Sequence, residues 1–335
     1  MCKHACGMIR NMKIGNRVFD EGHTYIMGIL NVTPDSFSDG GKYNRLDSAL
    51  KHIEEMIADG ADVIDIGGES TRPGYEHISV QDEIERVVPV IEAASGRFDI
   101  PISIDTYKPD VAGEAVLAGA TLVNDIWGLR GEDFKTENLG MAEVVAQNKV
   151  SCCIMQNYIM EKLETAKQEA SKVQITDKDQ DNPSGRSGDG IEGSRGLKAQ
   201  TSGIRTDDRF LAKGMGIASE IVIDGLNKSI KIAAEAGIDR ERILLDPGIG
   251  FGKTYEDNLE VLKNLKAIKE AFEYPMLLGT SRKSVIGLTL NLPSSERVEG
   301  TLATTARAIE AGCLFVRVHD VKENARFIKM YEALR

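Results

Sequence analysis

Seven short apolar stretches of this chain end in residues that can do chemistry. Asn31 is followed by Thr33-Pro34-Asp35-Ser36-Phe37-Ser38-Asp39-Gly40-Gly41, and a second stretch runs into Gly67-Gly68-Glu69-Ser70-Thr71-Arg72-Pro73-Gly74. The others end at Asp105-Thr106, Asn124-Asp125, Asp246-Pro247-Gly248, Gly279-Thr280-Ser281-Arg282-Lys283-Ser284 and Arg317-Val318-His319-Asp320. A lone Asp in such a place is ordinarily a helix cap or a structural ion pair. A ring of polar ends is not core packing, because buried charge is costly unless it is paired. The types also sort by task. Asp105, Asn124, Asp246 and Lys283 supply acceptors, an amide and a cation, which suits a flat, nitrogen-rich heterocycle with paired N–H donors. Arg72, Arg317 and His319 supply the positive charge and donors that a diphosphate requires. Asn31 offers a neutral oxygen to a hard cation such as Mg²⁺, a common escort of diphosphates.

To meet, these residues must sit on elements that bring distant segments to one place. Eight apolar runs are candidate strands: residues 25–31, 63–66, 101–104, 121–124, 150–155, 243–245, 275–278 and 314–318. They are almost continuously hydrophobic, as expected of parallel strands covered on both faces. Helical patterns lie between them over residues 47–58, 82–94, 110–118, 221–236, 257–272 and 299–311, and several stop at a glycine before the next strand. Strict alternation with eight units predicts an α/β fold, a (β/α)8 TIM barrel. Its active site then lies at the strand C-termini, where the polar residues are. An open dinucleotide-binding sheet would carry G-x-G-x-x-G after its first strand, and this chain has Asn31-Val32-Thr33-Pro34-Asp35. Residues 13–19, with Gly15-Asn16, predict an N-terminal hairpin that plugs the barrel floor. Residues 1–12 read as a tail and 13–335 as a single barrel. A polar insertion at about 159–213, after the fifth strand, reads as disordered, because Ser184–Gly203 lacks core-forming residues.

Bulk composition narrows the function further. The chain has 335 residues, 41 of them basic and 52 acidic, for a net charge of −11. That argues against nucleic acid, and any anionic ligand must be held locally. No apolar run approaches a membrane span and no secretory signal is visible, so a cytoplasmic protein is expected. Cys152, Cys153 and Cys313 read as buried free thiols, and Cys2, His4 and Cys6 are too few to make a metal site. Gly248-Ile249-Gly250-Phe251-Gly252-Lys253-Thr254 fits neither phosphate-loop pattern: Lys253 replaces the last glycine of one, and Pro247 the first of the other. It reads as a close backbone approach beside the pocket.

These residues, in this order, resemble the dihydropteroate synthases. The long stretches Gly28–Gly41 and Asp65–Gly74 carry most of the resemblance. Ile104–Thr106, Val123–Ile126, Leu245–Gly248, Ser281–Ser284 and Val316–Asp320 extend it, so that it covers about residues 25–158 and 217–335. It implies condensation of 6-hydroxymethyl-7,8-dihydropterin diphosphate with 4-aminobenzoate, a transfer that releases diphosphate. Asp246 would pair with the pterin N–H and amino edge, Asn124 and Asp105 would complete the ring, and Lys283 would reach the opposite edge. Arg317 would lie on the pterin face and, with His319, hold the diphosphate, together with Thr71 and Arg72. Asn31 would ligate Mg²⁺. Phe37, Thr71, Pro73, Phe251 and Ser284 would bind 4-aminobenzoate, where sulfonamides would compete. A homodimer is the expected assembly. Two departures stand out: Gln156 where the family usually has His, and the insertion. The rivals are a corrinoid-dependent pterin methyltransferase barrel and a non-catalytic pterin-binding paralogue.

Overall fold

The computed structural model describes residues 11–33, 42–69, 77–130, 140–159 and 215–335. A hairpin of β1 (Asn11–Ile14) and β2 (Arg17–Asp20) precedes an eight-stranded parallel sheet. Its strands are β3 (Tyr25–Asn31), β4 (Val63–Gly67), β5 (Ile102–Asp105), β6 (Leu122–Asp125), β7 (Ser151–Met155), β8 (Ile243–Asp246), β9 (Leu277–Leu278) and β10 (Phe315–Val318). The hydrogen-bonded order is β8-β7-β6-β5-β4-β3-β10-β9, and a parallel bridge between Leu245 and Met276 joins the two ends. This is the expected (β/α)8 barrel with its N-terminal hairpin. Each expected strand is present, although the seventh shrinks from 275–278 to two residues. The expected helix over 257–272 is two helices, Tyr255–Lys263 and Leu265–Glu270, broken at Asn264. The expected disordered insertion falls, from residue 160 onward, outside the described residues, as does the expected tail through residue 10; the last two residues read as tail, Asn11 and Met12, instead belong to β1, where pairing with β2 buries Met12 in the barrel floor. Among the described residues no helix is long and apolar enough to cross a membrane.

The period of two along a strand explains how one sequence run makes both floor and mouth. On the outer face, Ile26, Ile64, Ile66, Ile104, Val123, Ile154, Leu245 and Val316 join the large core under the helices. The opposite parity points inward. There Met27, Val63, Leu122, Cys153, Leu244, Leu277 and Phe315 pack with Met12, Ile14 and Phe19 of the hairpin. One step of two residues further along, Val63 gives way to Asp65, Leu122 to Asn124, Leu244 to Asp246, Leu277 to Gly279 and Phe315 to Arg317. The apolar floor therefore becomes a polar mouth within one pleat.

Phe19 anchors the hairpin to that floor. It is 3% exposed and meets the rings of Tyr25 at 4.9 Å and Phe315 at 5.0 Å, both edge-on. Phe19→Ala is expected to lower unfolding free energy by about 3–5 kcal/mol, measured by urea denaturation. A loss below about 1 kcal/mol would mean that the hairpin contributes little to closing the barrel.

Candidate active site

The centre of the mouth is a guanidinium between two carboxylates. Arg317, from β10, donates from Nε to Asp65 Oδ2 at 2.5 Å and from Nη2 to Asp105 Oδ2. Asn124 donates from Nδ2 to the same Asp65 oxygen at 3.1 Å. Asp65 is fully buried, and its Oδ1, like Oδ1 of Asp105, is buried without a hydrogen bond from the protein. Buried acceptors of this kind call for donors, so the ring is built to receive N–H groups.

Asp246 and Lys283 complete the ring. Asp246 Oδ1 accepts from the Gly248 amide at 2.8 Å. At Gly279, a Cβ would lie 3.6 Å from Asp246 Oδ2 and 3.8 Å from Arg317 Cβ, so both side chains crowd the same bare backbone. Lys283 donates to the carbonyl of Ile249 at 2.5 Å, and its ammonium stands 4.5 Å from the centre of the Phe251 ring. Phe251 packs on Tyr107, Ile126 and Met155, an apolar wall beside the charges. Asn31 Oδ1 and Asp105 Oδ2 would each lie 3.7 Å from a Cβ at Gly67, so both reach the space that this glycine leaves open. His319 joins Ser281 twice: Nδ1 lies 3.0 Å from Ser281 Oγ, and its amide donates to that oxygen at 3.1 Å.

Asp105, Asn124, Asp246, Lys283 and Arg317 therefore meet, with Asn31, His319 and Phe251 around them. Ser284 is exposed, at the first turn of the helix Ser284–Leu290. Phe37, Thr71, Arg72 and Pro73 lie outside the described residues. Both ends of the span that holds Thr71–Pro73 are tied to Lys108, whose Nζ bonds Glu69 at 2.5 Å and the Ile78 carbonyl at 2.8 Å.

Sequence reasoning missed several supports. Asp65 had a signal: a charge inside the apolar run Val63-Ile64-Asp65-Ile66, at the inward parity. Ser281 and Arg297 had none, because what they touch is distant in sequence. Arg297 donates to the carbonyls of Arg282 at 2.8 Å and Lys283 at 3.3 Å. Arg282 sits in the left-handed region at φ 59°. Such a conformation costs a bulky residue about 1 kcal/mol or more, so the bracing is needed to present Lys283.

The electrostatics follow from burial and neighbours. Burial, with Asp65 and Glu83 nearby, pushes Asp105 up to about 7 against the pull of Arg317 and Lys283. Burial also raises Asp246, opposed by Lys283, the Gly248 amide, Arg317 and Lys253. It lowers Lys283 to about 8 despite Asp246 and Asp105. Burial opposes the charge on Arg317 too, but Asp65 and Asp105 outweigh it and hold the guanidinium above its ordinary range. Cys152, Cys153 and Cys313 are free and buried, with thiols pushed up by desolvation, so they do not serve as nucleophiles.

Among the described residues no cluster of three His, Cys, Asp or Glu side chains could hold a metal. One neutral oxygen beside a carboxylate still suits a Mg²⁺ ion that takes its other ligands from water and substrate phosphates, the usual mode for this ion.

Comparison with known proteins places this geometry in context. The pattern of the pterin binding enzyme family matches residues 27–188 and 213–319. A dihydropteroate synthase of Clostridium beijerinckii is 49% identical over 325 residues, covering 96% of this chain and 99% of that protein. One from Bacillus subtilis is 45% identical over 311 residues, covering 93% and 88%. Among solved structures, a Clostridium difficile dihydropteroate synthase crystallised in the presence of pteroic acid has a TM-score of 0.73 at 43% identity, covering 94% of this chain and 98% of that one. A Xanthomonas albilineans dihydropteroate synthase with 4-aminobenzoic acid scores 0.74 at 33% identity, covering 97% and 98%.

The bracketing of Arg317 can be measured directly. Asp65→Asn is expected to destabilise the fold by about 3 kcal/mol, because it leaves a buried guanidinium short of a counter-charge. Combined with Arg317→Met, the two losses are expected to fall short of their sum by about 1 kcal/mol or more in a double-mutant cycle. Strict additivity would show that the pair is not coupled.

Proposed function

The chain belongs to the pterin-binding enzyme family and, within it, to the dihydropteroate synthases, and from that premise we propose how its own residues divide the work. The reaction joins the pterin methylene of 6-hydroxymethyl-7,8-dihydropterin diphosphate to the amine of 4-aminobenzoate and releases diphosphate, a transferase step of folate biosynthesis. The observation that carries our reading is the meeting of Asp105, Asn124, Asp246, Lys283 and Arg317 in one buried mouth.

Asp246 accepts from the N–H and amino edge of the pterin, and Asn124 completes that contact. Lys283 donates to the opposite edge. The apolar wall of Ile126, Met155 and Phe251 takes the ring face. Arg317, already oriented by Asp65 and Asp105, lies against the pterin and, with His319, Thr71 and Arg72, holds the diphosphate. As the carbon–oxygen bond breaks, positive charge grows on the methylene, and the Asp105 carboxylate stabilises it. Asn31 would hold Mg²⁺, which when bound supplies charge to the departing diphosphate. The neutral aryl amine needs no base, only orientation by Phe37, Thr71, Pro73, Phe251 and Ser284. The same reading makes the working enzyme a cytoplasmic homodimer.

Diphosphate release is expected only when both substrates are present with Mg²⁺, and omitting each in turn is the test. Release at a rate that does not depend on 4-aminobenzoate would reject the condensation. Asp246→Ala is expected to cost about 3–5 kcal/mol in kcat/KM for the pterin diphosphate, the loss of charged hydrogen bonds in a buried site. A loss below tenfold would place the pterin edge elsewhere.

The pH dependence has a defined sign. Asp105 must be ionised and sits at about 7, so kcat/KM for the pterin diphosphate rises as pH climbs through that value. Lys283 must be protonated and sits at about 8, so activity falls as pH climbs further. A narrow bell between the two is expected from steady-state rates. A profile flat from about pH 6 to 9 would count against these roles.

A further inference from the structure

In the glycine-rich turn Gly248–Lys253 only the ring of Phe251 has a role above, yet the polar atoms of the turn point in a consistent way. The amide of Gly248 donates to Asp246 Oδ1 at 2.8 Å, and the carbonyl of the same residue accepts from Lys253 Nζ at 2.9 Å. The next carbonyl, of Ile249, accepts from Lys283 at 2.5 Å. The Gly250 amide donates to Asn258 Oδ1 at 2.7 Å. The turn thus touches both Asp246 and Lys283, and it is held from behind by Lys253 and Asn258. Lys253 is 9% exposed and also donates to Gln156, at 2.7 Å to Oε1 and 3.4 Å to the backbone carbonyl. Gln156 in turn follows β7 and donates its amide to the Asp246 carbonyl at 2.9 Å. The fit leaves no slack. Gly248 has φ 68°, and a Cβ there would come within 1.9 Å of the Gln156 carbonyl oxygen, so only glycine is accommodated.

We propose that Lys253 is a positioning residue for pterin recognition: it locks the Gly248–Lys253 turn against Gln156 so that Asp246 and Lys283 face one ligand edge. This deepens the function proposed above and rests on it. Lys253 does not touch the reacting atoms in this reading. It acts through Gly248 and through its field, which is stronger in a buried site than in water.

The charges that face Asp246 are few. Lys283 approaches from the turn before Ser284–Leu290, Arg317 from β10 and Lys253 from its own turn. The thiols of Cys153 in β7 and Cys313 before β10 also lie within its field, and burial keeps both neutral. Burial raises Asp246, and the three cations pull it down. Removing Lys253 therefore moves the protonation of Asp246 to higher pH.

The test uses the full-length protein and two variants, Lys253→Met and Lys253→Gln. Lys253→Met removes charge and donors together. Lys253→Gln removes the charge and keeps a donor for the same oxygens, so it carries the test should the first variant fail to fold. Asp246 is titrated without ligand by its carboxyl carbon resonance in aspartate-labelled protein, assigned by its loss in Asp246→Asn. Its midpoint is expected to move to higher pH in either variant, because a cation that favours the carboxylate is lost. Affinity for the pterin diphosphate is expected to fall on the order of tenfold in Lys253→Met at neutral pH. An Asp246 midpoint that stays at the wild-type value overturns the proposal. So does an affinity for the pterin diphosphate that stays within about twofold of the wild-type value in folded Lys253→Met. Should the unaltered enzyme not bind the pterin diphosphate, the proposed function fails, and the ligand-free titration still decides the role of Lys253.

Discussion

The site depends on one arrangement: a single guanidinium held between two carboxylates at the mouth of a barrel. Arg317 cannot be buried alone, because desolvating a cation costs several kcal/mol. Asp65 and Asp105 offset that cost, and in doing so they fix the plane of the guanidinium. Planarity and the fork of donors matter here, since a lysine in the same place would supply charge without orientation. Asn124 extends the bracket through Asp65, so one buried oxygen of Asp65 coordinates two functional side chains. The consequence for chemistry is that the carboxylates are already oriented before any ligand arrives, which is what electrostatic stabilisation of a developing charge requires.

The barrel makes the bracket possible. Asp65, Asp105 and Arg317 lie on β4, β5 and β10, and only a closed sheet brings β10 beside β3 and within reach of the strands that follow it. Closure in turn depends on the floor. The hairpin fills the inward-facing space below Asp65, Asn124 and Arg317 with Met12, Ile14 and Phe19, keeping water from the underside of the buried charges. A drier site strengthens every charge interaction within it.

Gln156 illustrates how a departure from the expected residue is absorbed. A neutral amide replaces the titratable imidazole usual in the resemblance, and its oxygen accepts from Lys253. The position serves the frame around Asp246, at the back of the ring. This agrees with a residue type that brings no acid–base chemistry, in a reaction whose attacking amine is already neutral.

Much of this was legible in the residues alone, for a physical reason. Strand and helix periods are local, so the eight runs and the helices between them follow from short stretches of side chains. The rule that barrel chemistry sits at strand C-termini then converts Asp105, Asn124, Asp246, Lys283 and Arg317 into a site. The motifs were long enough to identify the family. What the tertiary structure decided is pairing. Asp65 reads as a charge inside a strand until the closed sheet sets it against Arg317, 252 residues away. Ser281 beneath His319, Arg297 bracing Arg282, and Lys253 reaching back to Gln156 are likewise contacts between separate elements. A sequence fixes which groups are available and how far apart they lie along the chain. Their distances and desolvation, which set how strongly they interact, exist only once the sheet has closed.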